Sequence, residues 1–244
     1  METVLITGAA RRLGSLIAGS LASSGCFVWI HYRIHEAEAF ELRDRILRNN
    51  GHASCVRADL TQEADIAAMI DVIKASENGG LTTLINNASI IRKGTLQETT
   101  PDVWDAVMNT NLKAVWFLSC KIAREFPELK RIITIGDANA ANGMNSHAVY
   151  GLSKFALKYL TEQMAAAFAP GIRVNLLSPG LVLKGESEPE AVWQKRLERV
   201  YLDNSSIVAS ILKTIRFLMD DPGMTGAELP VDSGIHLRGG TGGK

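Results

Sequence analysis

Thr3-Val4-Leu5-Ile6-Thr7-Gly8-Ala9-Ala10-Arg11-Arg12-Leu13-Gly14 opens the chain as an apolar strand, a glycine-bearing turn and the first turn of a helix. Glycine at position 8 permits the tight turn, and Gly14 lets the helix lie close to the sheet. The helix N-terminus then presents free N–H groups and the positive end of its dipole, an arrangement that receives phosphate. A glycine-rich turn alone is unspecific. Its place between the first strand and the first helix makes it a nucleotide signal. The competing reading is a plain strand–helix loop.

Working outward, short apolar runs alternate with longer amphipathic ones. Strands are expected over Val4–Thr7, Phe27–His31, Ala53–Arg57, Leu81–Asn86, Arg131–Gly136, Arg173–Ser178 and Ala227–Val231. Helical patterns lie between them, over 13–24, 35–49, 62–77, 101–124, 147–168 and 206–219. Near-continuous apolar strands alternating with helices imply a parallel sheet covered on both faces. Thr100 suits an N-cap and Pro101 the first helical position behind it. There is no internal repeat and no second domain, so residues 1–238 read as one α/β domain, with 239–244 a glycine-rich flexible tail. The segment 183–204 breaks the rhythm. It follows the sixth strand, at the edge where open α/β sheets bind ligands.

The 244 residues are 46% hydrophobic and 21% charged, with formal net charge zero. A nucleic-acid binder carries a basic excess, so that class is set aside. No apolar run reaches the length of a membrane span, and Met1 leads straight into a strand, so neither a membrane segment nor a signal peptide is expected. Cys26, Cys55 and Cys120 are far apart and lack metal-ligand spacing, which reads as buried thiols in a reducing cytoplasm. The five histidines pair with no Cys or carboxylate at metal spacing, so no metal is inferred.

Tyr150 and Lys154 lie four residues apart in SHAVYGLSKFALKYL and project from one face of a helix. An ammonium beside a phenol favours phenolate, so the pair reads as a proton donor with its tuner. By chance alone the same spacing occurs on many solvated helix faces. The upstream turn gives it meaning. Ser146 reads as an N-cap rather than a nucleophile, and His147 as a first-turn residue.

The second strand ends His31-Tyr32-Arg33 with no acid before Glu36. An NAD binder places Asp or Glu there to hold the ribose 2′-hydroxyl. Arg33 and the Arg11-Arg12 pair instead suit a 2′-phosphate, which a planar guanidinium binds bidentately; otherwise they are solvated surface charges. The reading favours NADP(H). Asp59, after the third strand, accepts the adenine amino proton or caps the next helix, a role open to Thr61 as well.

Seven motifs stand in order: TGAARRLG (7–14), ADL (58–60), NNAS (86–89), Asn111 in MNTNLKA, YGLSK (150–154), LLSPG (176–180) and LPVDSG (229–234). Together they resemble the short-chain dehydrogenase/reductase family over nearly the whole chain. The resemblance implies a single doubly wound Rossmann-type domain with a seven-stranded parallel sheet and helices on both faces. It implies a nicotinamide cofactor and a homotetramer or homodimer built through the helices at 101–124 and 147–168. It also implies site roles. Tyr150 is the proton donor; Lys154 lowers its pKa and holds the nicotinamide ribose; Asn111 interrupts its helix and anchors a water that relays protons. Cofactor contacts fall to Gly8, Arg11, Arg12, Leu13 and Gly14, to Tyr32 and Arg33, and to Asp59 and Leu60. Asn87, Ala88, Ser89, Pro179, Gly180 and Leu181 complete them, with Tyr150 and Lys154.

Three departures narrow the resemblance. Arg12 replaces the family's second glycine, Asp137 replaces the serine thirteen residues before the tyrosine, and Ser89 stands where glycine is common. With SPGLVL and VDSGIHLR they look like the pteridine and dihydromonapterin reductase branch. An ionised Asp137 repels the negative oxygen that develops in ketone reduction. It suits a substrate with N–H donors, such as an aminopterin ring, and could relay a proton to Tyr150. Two other roles are open to it, a neutral acid of raised pKa and a simple cap on its loop. Against a pterin, Ile91 stands where that branch has a stacking aromatic, a geometry worth about 0.5–1.5 kcal/mol. Trp193 in the 183–204 segment either supplies that surface or packs in a core or interface.

The sequence thus reads as an NADPH-dependent reductase of a pteridine or dihydropteridine, with Ser89, Ile91, Asp137 and Tyr150 facing a small-molecule substrate. The alternatives are a carbonyl reductase acting on a ketone, sugar or 3-oxoacyl thioester, and a non-catalytic NADP-binding sensor.

Overall fold

The computed structural model describes residues 1–238; the expected tail at 239–244 lies outside the described residues. β1 (Thr3–Ile6) leads into α1 (Arg12–Ser23), and the unit repeats through β2 (Phe27–Tyr32), α2 (Glu36–Arg48), β3 (His52–Arg57), α3 (Glu63–Lys74) and β4 (Thr83–Asn86). The second half runs α4 (Pro101–Met108), α5 (Ala114–Glu125), β5 (Arg131–Ile135), α6 (Ala148–Phe168), β6 (Arg173–Pro179), α7 (Glu190–Leu197), α8 (Ile207–Asp220) and β7 (Glu228–Val231). The seven strands form one sheet in the order β3-β2-β1-β4-β5-β6-β7, and every pairing is parallel.

The two-residue period of β1 divides the core. Val4 and Ile6 face the layer of α1, α2 and α8, while Leu5 faces that of α3, α5 and α6. All three are 0% exposed. A side chain of this kind contributes about 1.5–3 kcal/mol on burial. Two faces covered this way explain why the strands read as unbroken apolar runs. The chain reverses direction across the sheet between β1 and β4, so a crevice opens beyond their C-terminal ends.

The helix expected over 101–124 is broken. Thr100 Oγ1 accepts from Val103 N at 3.4 Å and Pro101 starts α4, but Asn109–Lys113 forms a π turn before α5 begins. Asn111 sits inside that turn, 1% exposed.

Two capping expectations fail. His147, not Ser146, is the N-cap of α6 and makes no side-chain capping bond; the Ser146 hydroxyl instead meets His147 Nδ1 at 2.9 Å. Likewise Gln62, not Thr61, precedes α3 and makes no side-chain capping bond; the Thr61 hydroxyl donates to Asp59 Oδ1 at 2.7 Å. The 183–204 segment holds α7, which buries no residue; Trp193 is half-buried beneath Arg196, whose guanidinium lies 5.6 Å from its ring centre.

Candidate active site

A cleft of about 960 Å³ lies over the C-terminal ends of the strands and runs from Arg33 and Asp59 to Tyr150 and Asp137. Its floor is the glycine turn. Gly8 has φ +61°, and a Cβ there would meet Ala88 Cα at 2.9 Å; a Cβ on Gly14 would meet Gly8 O at 2.5 Å. Thr7, 1% exposed, accepts at its hydroxyl from Asn87 N and Ala88 N, both at 2.9 Å. Asn87 Nδ2 donates back to Thr7 O at 2.8 Å. The turn after β1 is thereby fastened to the end of β4.

His31 completes this clamp and was not singled out by sequence. It is 2% exposed, its Nδ1 accepts from Gly8 N at 3.0 Å, and its Nε2 lies 3.1 Å from Ala58 O. The two partners assign the neutral Nε2–H tautomer, since one nitrogen must accept and the other donate. Burial lowers its pKa to about 4, against smaller opposing effects of the Ala58 bond and Asp59. The only sequence signal was a histidine placed in an apolar strand next to the turn.

The arginines do not gather around one point. Arg33 reaches Asp59 at 3.7 Å at one end of the cleft. Arg11 bonds Glu186 and donates to His35 Nε2 at 3.3 Å. Arg12 donates to Leu183 O at 3.2 Å and Lys184 O at 3.3 Å. All three arginines line the cleft; Arg33 pairs with Asp59, while Arg11 and Arg12 strap the 183–186 stretch to the glycine turn. Arg12 holds φ +54°, a left-handed conformation that explains why glycine is the usual choice at this position. Asp59 accepts from Thr61 N and Oγ1 at 2.9 and 2.7 Å. Burial raises its carboxyl, but the Thr61 bonds, Arg33 and His31 outweigh that and hold it below the usual carboxylate range.

At the other end, α6 carries Tyr150 and Lys154 one turn apart. The Tyr150 hydroxyl donates to Asp137 Oδ2 at 2.9 Å. Asp137 Oδ1 accepts from Asn139 N at 2.8 Å, so the carboxylate orders its own loop and also holds the phenol. Lys154 is 5% exposed; its Nζ donates to Ile135 O at 2.9 Å and lies 5.9 Å from the Tyr150 ring centre.

The electrostatics differ from the expectation of an easily ionised phenol. Burial raises the Tyr150 pKa, and the Asp137 charge and hydrogen bond raise it further. The lysine that was expected to oppose this is itself perturbed: burial lowers its pKa to about 8, with Asp137 pulling the other way. Asn111 spends its side chain on Ile90, accepting from N and donating to O, each at 2.9 Å, and donates to Ser153 Oγ at 3.1 Å.

Every residue expected to touch cofactor or substrate borders this cleft except Leu181, which is buried and offers its carbonyl to Asn204 Nδ2 at 2.6 Å. Asn111 lies behind the wall rather than on it. Gly185–Ser187, from the segment expected at the ligand-binding edge, also border it, as do Arg92 and Thr110, which sequence reasoning missed.

The chain is similar to known proteins throughout its length. The family model described as enoyl-(acyl carrier protein) reductase matches residues 8–236. The 3-oxoacyl-[acyl-carrier-protein] reductase FabG of Buchnera aphidicola is 29% identical, over 97% of this chain and 98% of that protein. The dihydromonapterin reductase of Escherichia coli is 26% identical, over 96% and 97%. Among solved structures, the alternative dihydrofolate reductase FolM of Brucella canis, complexed with NADP, superposes with a TM-score of 0.90 at 29% identity, covering 97% of this chain and 94% of that one. The parallel sheet, the clamped glycine turn and the Tyr150–Lys154 pair agree with these matches, and the chain belongs to the short-chain dehydrogenase/reductase family of oxidoreductases.

Proposed function

We propose that the protein is an NADPH-dependent reductase acting on the C=N bond of a dihydropteridine or a similar nitrogen heterocycle. The observation that carries this reading is the Asp137 carboxylate, hydrogen-bonded to the Tyr150 hydroxyl at 2.9 Å inside the cleft. A ketone under reduction develops a negative oxygen beside the tyrosine. Two like charges about 4 Å apart repel by about 4 kcal/mol at an effective dielectric constant near 20. An aminopterin ring brings N–H donors instead, which a carboxylate can bind. The likeness to a dihydromonapterin reductase and to FolM supports the same substrate class.

The residues present fit a dinucleotide. The cradle of Gly8 and Gly14 leaves no room for a side chain, and Arg33 lines the far end where a 2′-phosphate would distinguish NADP from NAD. The cofactor supplies hydride; the chain supplies the rest. Tyr150 holds the proton for the substrate nitrogen. Its raised pKa keeps it protonated at neutral pH, as a general acid requires. Lys154, buried beside the phenol, offsets the charge left when that proton departs. Asp137 orients the ring through its N–H groups. Asn111 pins the Ile90 backbone and so shapes the wall that carries Ser89 and Ile91.

The second reading is a ketone or 3-oxoacyl reductase. It is favoured by Ile91, half exposed where an aromatic would stack a flat ring, and by the likeness to FabG. Incubation with NADPH and either 7,8-dihydrobiopterin or 3-oxoacyl thioesters, followed at 340 nm, separates the two. Turnover of the thioester alone would reject the dihydropteridine.

Trp104, Trp116, Phe117, Leu152, Phe155 and Tyr159 expose 42–65% of their surface on α4, α5 and α6. A patch of this kind supports a homodimer or homotetramer closed through these helices. Three free thiols suit a cytoplasmic protein. No described helix is long and apolar enough to cross a membrane.

A further inference from the structure

Two of the three arginines at the cofactor end of the cleft are paired with carboxylates and the third, Arg12, is tied to backbone carbonyls, whereas Arg92 and Lys93 at the other end have no such partners among the described residues. At the cofactor end, Arg33 meets Asp59 at 3.7 Å, and Arg11 meets Glu186, with Glu38 at 4.0 Å. At the substrate end, Arg92 lines the cleft with Tyr150 and has no carboxylate in ion-pairing range among the described residues; the same holds for its neighbour Lys93. Both are exposed. In a chain of 26 basic and 26 acidic residues, such a local excess is a feature of placement rather than of composition.

The backbone fixes these two cations beside the start of α6. Gly94 N donates to Ser146 O and Ala148 N donates to Gly94 O, both at 3.0 Å, in a parallel bridge of Gly94 with His147. Lys93 is therefore held against His147, one helical turn from Tyr150. The first turn of α6 has no side-chain cap, so its positive dipole end faces the same corner. Arg196 also bears on it: burial lowers the His147 pKa most, and Lys93 and Arg196 lower it further. Three carboxylates of the surrounding segments have other partners: Glu188 pairs with Arg196 at 2.9 Å, Asp137 accepts from Tyr150 and Asn139, and Glu98 accepts from Thr95.

We propose that the substrate carries an anionic group, a carboxylate or a phosphate, distal to the bond that is reduced, and that Arg92 and Lys93 receive it beside His147. A guanidinium binds either anion in a bidentate fork, and the lysine adds a point charge. The assignment rests on this cleft being the reductase site. It applies to a pterin with a glutamate tail and to a thioester with a phosphopantetheine arm alike, because both carry an anion beyond the reacting group.

The test uses matched pairs that share a reacting group. Dihydrofolate and dihydrobiopterin share the ring, and only the first has a carboxylated tail. Acetoacetyl-CoA and its N-acetylcysteamine analogue share the ketone, and only the first has phosphates. NADPH oxidation is measured for the wild type and for the Arg92→Gln/Lys93→Gln double variant. In whichever pair is reduced, the ratio of kcat/KM for the anionic member to that for the neutral one should fall at least tenfold in the variant, through KM rather than kcat. Which pair is reduced tests the proposed chemistry; the ratio tests the anion site. An unchanged ratio, or an equal loss on both members, overturns the assignment. Should neither pair turn over, calorimetry of the NADP-loaded protein with p-aminobenzoylglutamate and with 4′-phosphopantetheine decides it. Binding of either that is lost in Arg92→Glu/Lys93→Glu sustains the site, and absence of binding by both rejects it.

Discussion

The Tyr150 hydroxyl donates a hydrogen bond to Asp137 Oδ2 at 2.9 Å, so the proposed acid of this site rests on a carboxylate rather than on a hydroxyl. Burial, the Asp137 charge and the hydrogen bond itself all raise the phenol's pKa. Asp137→Asn removes the charge and keeps the shape. The phenol should then ionise at lower pH, although burial still holds it above an ordinary tyrosine. Ultraviolet difference titration, with a Tyr150→Phe control to isolate its signal, reads the shift. An unmoved titration would mean that Asp137 does not govern the phenol.

His31 ties the glycine turn to the end of β3 as a neutral acceptor and donor. His31→Phe fills the space but leaves Gly8 N–H without its partner, at a cost of about 1–3 kcal/mol. The variant should lose stability and NADPH affinity together. Acid sharpens the test. The folded pKa is depressed from 6.5 to about 4, so between these values the unfolded chain binds a proton that the folded chain refuses. This contribution makes wild-type stability fall with pH by up to about 1.4 kcal/mol per unit across that window. The slope should be shallower in His31→Phe, as urea midpoints between pH 4.5 and 7 would show.

Arg12 keeps a left-handed backbone, which disfavours a residue with a Cβ by roughly 1 kcal/mol. Its return is the pair of bonds to Leu183 O and Lys184 O. In Arg12→Gly the backbone relaxes and those bonds vanish. The melting temperature should change little, while amides of residues 183–190 exchange faster in hydrogen–deuterium exchange. Unchanged exchange there would deny Arg12 its strap.

Arg33 lines the cleft with Arg11 and Arg12 and is the one of the three not tied to the 183–186 stretch. Arg33→Ala should raise Kd for NADPH by tenfold or more and leave NADH nearly unaffected, because only the former carries the 2′-phosphate. Equal losses for both would remove the basis for NADP preference.

The alternation of buried strands and amphipathic helices made the sheet legible in the sequence, and β2, β5 and α6 fall within a residue or two of expectation. The Thr7-to-Gly14 turn was equally plain, because only glycine tolerates the contacts that Gly8 and Gly14 make. The side chains around it were harder. That Arg11 and Arg12 turn toward 183–186 depends on a loop more than 170 residues away, and no local pattern encodes it. The break in the helix at Asn111 was expected from the family resemblance alone, since NTNLK has no residue that forces a π turn. The role of His31 and the lowered pKa of Lys154 escaped for another reason: burial sets both pKa values, and burial is a property of the packed chain.

The most direct measurement compares wild type and Asp137→Ser on two substrates, a dihydropteridine and a ketone, with NADPH consumption followed at 340 nm. Serine restores a neutral hydroxyl donor where the carboxylate stood. Dihydropteridine reduction should fall by about a hundredfold, within the range expected when one positioned polar group is lost from an active site, and ketone reduction should hold or rise. Equal rates on both substrates in the two proteins would contradict the assignment of Asp137 as the residue that selects a nitrogen-bearing substrate.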